Sequence, residues 1–412
     1  MNHTMTIQIN NRGTITTQAA LRIYFVMWWI QYTVLDFVRV VFSVLPVVGQ
    51  MSDWIVPMAM AMMLLLSIPY IAKRLRYTDL LFYLVAALVV FGTMLFLPEN
   101  AEYIEKDLWR ILGLAVPAYF LGLCYDHETM QKDLFWCSVA SVLILAAYQL
   151  FNLSSGRELE AENMDASYKV LPSVLYLFYW AFQEKKLWHW ILTVVGVILV
   201  FSYGTRGPVL ITAAYIAVQL FLRLIWNKRN IWRILGTIVL TTIVILLFTT
   251  SALTDFAKFM GETFEKAGLS TRIFDYYVEG EFTESVGREK IADNVRISIS
   301  ENLPFGIGFY GDRVVSGSYA HNIALELWCE FGVFIGSVGL LAILWTIISG
   351  LRCTKQAEMR SVFLMFVCMV CIKLMLSGTY TTEAYFFFLL GMSIQQKRNG
   401  TAELSLNEGK KL

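Results

Sequence analysis

Ser318-Tyr-Ala-His321-Asn322-Ile-Ala-Leu-Glu326-Leu-Trp-Cys-Glu330-Phe-Gly332-Val-Phe-Ile-Gly336-Ser-Val-Gly339-Leu-Leu-Ala-Ile-Leu-Trp-Thr-Ile-Ile-Ser-Gly350 opens as a polar segment and closes as an apolar run. As a helix, about 20 such residues cross the hydrocarbon layer of a bilayer. Runs of this kind recur along the whole chain. Of its 412 residues, 57% are hydrophobic and 16% charged, against roughly 25% charged in a soluble domain. The runs are continuous rather than alternating, which excludes a transmembrane β-barrel. The expected fold is an all-α polytopic membrane protein.

Moving outward from this stretch, twelve spans are expected. Nine lie in residues 1–250, at about 22–48, 54–72, 79–97, 108–125, 134–151, 168–183, 187–203, 208–226 and 231–250. One long hydrophilic segment, 251–320, follows. Three more spans fill 321–394, at about 322–350, 361–376 and 384–394, and a polar tail occupies 395–412. Residues 1–20 are polar and the first apolar run is long, so no cleaved leader is expected. No internal repeat is evident, which weighs against repeat-built transporters. Asp36 and Arg39, three apart in the first span, can pair on one helix face. The six cysteines sit in or beside apolar runs. Cys368 and Cys371 have CxxC spacing but no companion pair, so they read as small apolar side chains.

The net charge of +1 says little; the placement of charge says more. With both termini on one side, the short loops on that side carry thirteen Lys and Arg, clustered at 73–76, 185–186, 228–229, 352–360 and 397–398, plus Lys132. The opposite short loops carry only Lys106, Arg157 and Arg206. Positive charge marks the cytoplasmic side, so both termini are expected there, with 251–320 and His321 outside.

That topology sorts the candidate residues. Of the four histidines, His3, His127 and His189 fall on the cytoplasmic side, and His321 alone faces outward. It is the one imidazole available there as a general base near neutral pH, although an interfacial histidine at a helix start has the same sequence appearance. Arg206 sits in a tight turn before Pro208, at the outer start of a helix. A guanidinium at a helix N-terminus suits phosphate oxygens; snorkelling to the headgroups is the alternative.

In 251–320, seven Lys and Arg meet eleven Asp and Glu, so Arg272, Arg288, Arg296 and Arg313 form no generic basic patch. The glycines of Asn302-Leu-Pro304-Phe-Gly306-Ile-Gly308-Phe-Tyr-Gly311 would admit an anion close to the backbone or form ordinary turns. Gly332 and Gly336 have the spacing of close helix packing. Glu326 and Glu330, one turn apart, need a partner such as an outer arginine or His321.

Four of these motifs, in this order, resemble the bacterial O-antigen ligase and Wzy-type polysaccharide polymerase superfamily. They are Tyr203-Gly-Thr-Arg206-Gly-Pro-Val-Leu210, Ser285-Val-Gly-Arg288, Asn302-Leu-Pro-Phe-Gly306-Ile-Gly308, and His321-Asn322 followed after nine residues by Gly332. The resemblance covers roughly 190–340. Ile335 stands where the ligase signature continues with Gly, Thr or Tyr.

The resemblance implies a metal-independent, cofactor-free, inverting glycosyl transfer on the outer face of the bacterial cytoplasmic membrane. Its donor would be a glycan on undecaprenyl diphosphate. Arg206 and Arg288 would bind the diphosphate and stabilise it as a leaving group, in keeping with the way preorganised positive charge lowers such barriers. His321 would deprotonate the attacking sugar hydroxyl, with Asn322 and Glu330 supporting. The expected partners are the lipid-linked oligosaccharide, membrane lipids and other polysaccharide assembly and chain-length proteins, with no nucleic acid. Polymerisation of repeat units for O-antigen, capsule or exopolysaccharide is the first reading. Ligation to lipid A core or another acceptor is the second. A lipid-linked oligosaccharide transporter would place its functional charges near the midplane, and a purely structural partner of an export complex would leave His321 without a role.

Overall fold

The computed structural model describes residues 16–41, 46–154, 164–225, 252–280 and 288–409. Among them there is no strand, and the helices bear out an all-α membrane protein. Among the described residues, six helices are long and apolar enough to span a bilayer: Trp54–Ala72, Tyr77–Phe96, Pro98–Cys124, Glu128–Ser154, Ile323–Cys353 and Ala357–Leu376. Leu187–Ser202 and Arg206–Leu222 are shorter apolar helices. The expected ninth span at 231–250, His3, Arg157 and Ser285–Gly287 lie outside the described residues. So do the side chains of Asp36, Arg39 and His127.

The chain forms two compact units, one from 1–29, 53–132 and 285–412, the other from 30–52 and 133–284. The polar segment 251–320 contributes to both, supplying the helices Ala252–Lys266 and Arg272–Val278 to the second unit and Arg288–Glu301 and Gly311–Ser316 to the first.

In the first unit, the Val116–Cys124 and Ala384–Gly409 helices meet at two glycines. A Cβ on Gly122 would lie 2.1 Å from the Phe388 carbonyl oxygen, and one on Gly391 2.1 Å from that of Tyr119. Small residues let the two backbones touch, which compensates for the absence of a hydrophobic drive between helices in lipid. Phe25, Trp28, Phe366 and Phe388 pack around this joint, with Phe25 and Tyr125 stacked at 4.6 Å. Leu88, Phe91 and Leu95 of the Tyr77–Phe96 helix point outward, as a bilayer requires.

Two stretches outside the expected spans are helical. Residues 99–107 belong to the Pro98–Arg110 helix, whose inner face buries Asn100 and Ile104. The tail from 395 continues the last helix to Gly409. Its Arg398 is 15% exposed and reaches both carboxylate oxygens of Asp79 at 2.7 and 2.8 Å, while the Tyr119 hydroxyl donates to the same carboxylate.

In the second unit, Met164–Glu184 packs on Leu187–Ser202 through Val170, Val174, Leu177, Leu199 and Val200. The Ser167 hydroxyl donates to the Val200 carbonyl. His189 is buried among Phe135 and Trp188, a core histidine. The six cysteines are unbridged.

Candidate functional site

The site in the first unit begins with a break in the Ile323–Cys353 helix. Gly332 has φ 77° and ψ 164°, a conformation that only glycine adopts without strain. In an unbroken helix, the Val333 N–H would bond the Cys329 carbonyl. Here it bonds the Leu303 carbonyl at 3.2 Å, and the freed carbonyls of Cys329 and Glu330 accept from Ile307 and Gly308 at 2.9 Å each. The glycine-rich 302–308 loop therefore supplies partners for both of these carbonyls and for the Val333 N–H.

Contact is backbone to backbone: a Cβ on Gly306 would lie 2.5 Å from the Gly332 nitrogen. Gly306 and Gly308 thus serve the joint rather than an anion, and Gly332 serves the break rather than packing against another helix. Gly336 packs on Leu327, in the first half of its own helix, and Trp328 donates from its indole to Ser337.

The short first half, 323–331, starts at Asn322, whose Oδ1 accepts from the Ala324 and Leu325 N–H groups. Asn322 is thus an N-cap. Just before it, His321 holds φ 56°, in the left-handed region that a side chain adopts at a cost. Its ring lies 4.1 Å from that of Tyr319, and it hydrogen-bonds the backbone of Ser377. Nδ1 is buried and meets no hydrogen-bond partner among the described residues. Burial, and then the charge of Arg288, push the imidazole below its ordinary pKa. A neutral imidazole that donates through one nitrogen keeps a lone pair on the other.

Arg288 opens the Arg288–Glu301 helix, is exposed, and donates from Nη1 to the Leu376 carbonyl at 2.7 Å. Arg288 and His321 therefore bond to consecutive residues of one segment, Leu376 and Ser377.

Sequence reasoning missed what surrounds this pair. Asp312 and Arg313 are both buried and pair at 2.9 Å. Arg313 also donates to Thr379 and Thr381 and lies 3.6 Å from the Tyr310 ring centre. Burial opposes the charge on Arg313, but Asp312 and the neighbouring acids overcome it and hold the guanidinium ionised. Glu330, expected to pair with an arginine or His321, instead accepts from the Tyr310 N–H and the Tyr380 hydroxyl. Glu326 accepts from the Tyr380 N–H. The local clue was Thr379-Tyr-Thr-Thr-Glu383, a polar cluster between two apolar runs.

Arg206 lies in the second unit as the first residue of the Arg206–Ile225 helix, half-buried, with its guanidinium 4.3 Å from the Tyr276 ring centre. Arg272 shares that ring at 5.3 Å and donates from Nε to the Tyr276 hydroxyl at 2.9 Å. The first turn of this helix packs closely: a Cβ on Gly207 would lie 1.8 Å from the Tyr168 hydroxyl. Among the described residues, no group of three His, Cys, Asp or Glu is arranged to hold a metal ion.

Comparison with known proteins adds no relative to this geometry: no family model matches the chain, and no curated protein matches it.

Proposed function

We propose that this protein is a membrane glycosyltransferase that polymerises lipid-linked polysaccharide repeat units, acting on the outer face of the bacterial cytoplasmic membrane. The observation that carries the reading is His321, a depressed imidazole with Nδ1 unengaged, next to the exposed guanidinium of Arg288. In this reaction His321 takes the proton of an acceptor sugar hydroxyl. The oxygen attacks the anomeric carbon opposite the leaving group, forming one C–O bond as the other breaks, and the configuration inverts. Undecaprenyl diphosphate departs as an anion, and Arg288 meets the developing charge. The sequence motif assigns Arg206 to the donor's diphosphate as well. Asn322 fixes the helix start beside the base, and Glu330 braces the Tyr310 backbone.

Ligation to a different acceptor uses the same chemistry and is the second reading; Ile335 favours polymerisation. The experiment is glycan analysis in a deletion strain complemented with variants. Single repeat units on the normal acceptor mean a polymerase, and long chains stranded on the lipid carrier mean a ligase. His321→Ala and Arg288→Ala, each present at normal abundance, are expected to abolish long chains. Wild-type chain length in both would remove the catalytic assignment.

A further inference from the structure

His321 is held by more than its cap. The peptide before it is tied down by Asp312, whose Oδ2 accepts from the Ala320 N–H at 2.8 Å. Ser316 braces the same turn, its hydroxyl 2.7 Å from the Asp312 carbonyl and 2.6 Å from that of Ser318. Asp312 spends its other oxygen on Arg313, which reaches Thr379 at 2.9 Å and Thr381 at 3.3 Å. On the far side of the turn, the Tyr319 hydroxyl donates to the Ser377 carbonyl at 3.2 Å, and His321 bonds the same residue. Both ends of the turn are therefore fastened to one segment, 377–381.

This network sits where backbone strain needs it. A non-glycine residue in the left-handed region persists only where its surroundings over-determine it. Asp312 and Arg313 are 0% and 4% exposed, so neither meets a substrate from the surface. A buried ion pair adds little to stability beyond an apolar pair of similar volume, and its better-attested use is to fix one arrangement.

We infer that Asp312 and Arg313 are positioning residues that hold His321 in its reactive orientation, Asp312 through the Ala320 amide and Arg313 by fixing Asp312 to the 377–381 segment. The inference rests on the proposed role of His321 as the base. It explains why two opposite charges are buried next to a reaction that touches neither.

The test uses the full chain in nanodiscs, turning over undecaprenyl-diphosphate-linked repeat units isolated from the deletion strain. Asp312→Ala combined with Arg313→Met removes the ion pair as a unit and leaves the Ala320 N–H without an acceptor. We expect folded protein, an unmoved KM and a kcat lower by about 10²-fold, the scale of a small misplacement of a catalytic group. Asp312→Asn with Arg313→Met restores one acceptor oxygen for Ala320 and is expected to recover most of the lost kcat. Wild-type kcat per folded molecule in the first variant would overturn the inference, as would equal losses in both.

A second readout needs no turnover. With His3, His127 and His189 replaced and the remaining histidine ¹⁵N-labelled, Asp312→Ala/Arg313→Met should displace or broaden the His321 resonances, and the Asn variant should restore them. Unchanged resonances count against positioning. Wild-type turnover in His321→Ala instead removes His321 as the base, the reading on which the inference rests, whereas loss of turnover there together with wild-type kcat in Asp312→Ala/Arg313→Met overturns the inference alone.

Discussion

A Cβ placed on Gly332 would lie 2.3 Å from the carbonyl oxygen of Pro304. The helix break and the loop that fills it are thus one fitted unit, and Gly332→Ala offends it twice. The backbone conformation alone costs about 1–3 kcal/mol for a side chain, and the clash adds to that. We expect a lower Tm and reduced abundance in membranes. Gly339→Ala, with nothing within 4 Å of its Cβ, should melt like wild type. Equal melting of the two variants would mean that the break is not required.

The pH dependence has a definite sign. A general base works unprotonated, so kcat/KM rises as pH climbs through the imidazole pKa and then levels. Burial first, and Arg288 second, hold that pKa below 6.5, which places the acidic limb below pH 6.5. Arg288→Gln removes a depressing charge, so the limb of its residual activity should move to higher pH. The same depression makes the neutral imidazole's contribution to stability present above the unfolded value, and lost as pH falls through the folded one. A limb that stays put in Arg288→Gln would separate the two residues.

The six membrane-length helices were legible because a bilayer imposes a length and a composition on each helix separately. Runs such as 77–96 and 357–376 need no partner to be recognised. His321 stood out in sequence because the expected topology leaves it as the one outward histidine of four. Asp312 and Arg313 were not, because adjacent opposite charges in a polar segment look solvated, and burial follows from Thr379 and Thr381, more than sixty residues away. Likewise, the glycines of 302–308 carry a turn signal, whereas their partner carbonyls at Cys329 and Glu330 belong to a helix that looks continuous in sequence.

Arg206 and Arg272 share the Tyr276 ring. A guanidinium stacked on an aromatic face presents a planar set of donors to phosphate oxygens, and a lysine ammonium does not reproduce that geometry. Arg206→Lys should insert normally and raise the KM for the lipid-linked donor about tenfold, the equivalent of roughly 1.4 kcal/mol. Tyr276→Leu should move the KM in the same direction by loosening both arginines. An unmoved KM in both variants would leave Arg206 as an ordinary interfacial arginine.

Arg398 and Asp79 meet across 319 residues of sequence, 15% and 3% exposed. Removing one partner of such a pair leaves a charge in a site built for two, at a cost of about 3–5 kcal/mol. Arg398→Ala should therefore lower the Tm strongly, with the Tyr119 hydroxyl and the Arg76 N–H left donating to a carboxylate that has lost its guanidinium. Asp79→Asn with Arg398→Gln replaces both charges by amides that can bond each other and should restore much of the loss. The polar tail explains why this matters: 395–409 has few apolar residues to hold it, so Arg398 adds to the anchorage that Gln395 gives by donating to the Tyr125 carbonyl. Limited proteolysis then gives an independent check. Cleavage within the tail should accelerate in Arg398→Ala and return toward the wild-type rate in the double variant; an unchanged rate in both would show that the pair does not anchor the tail.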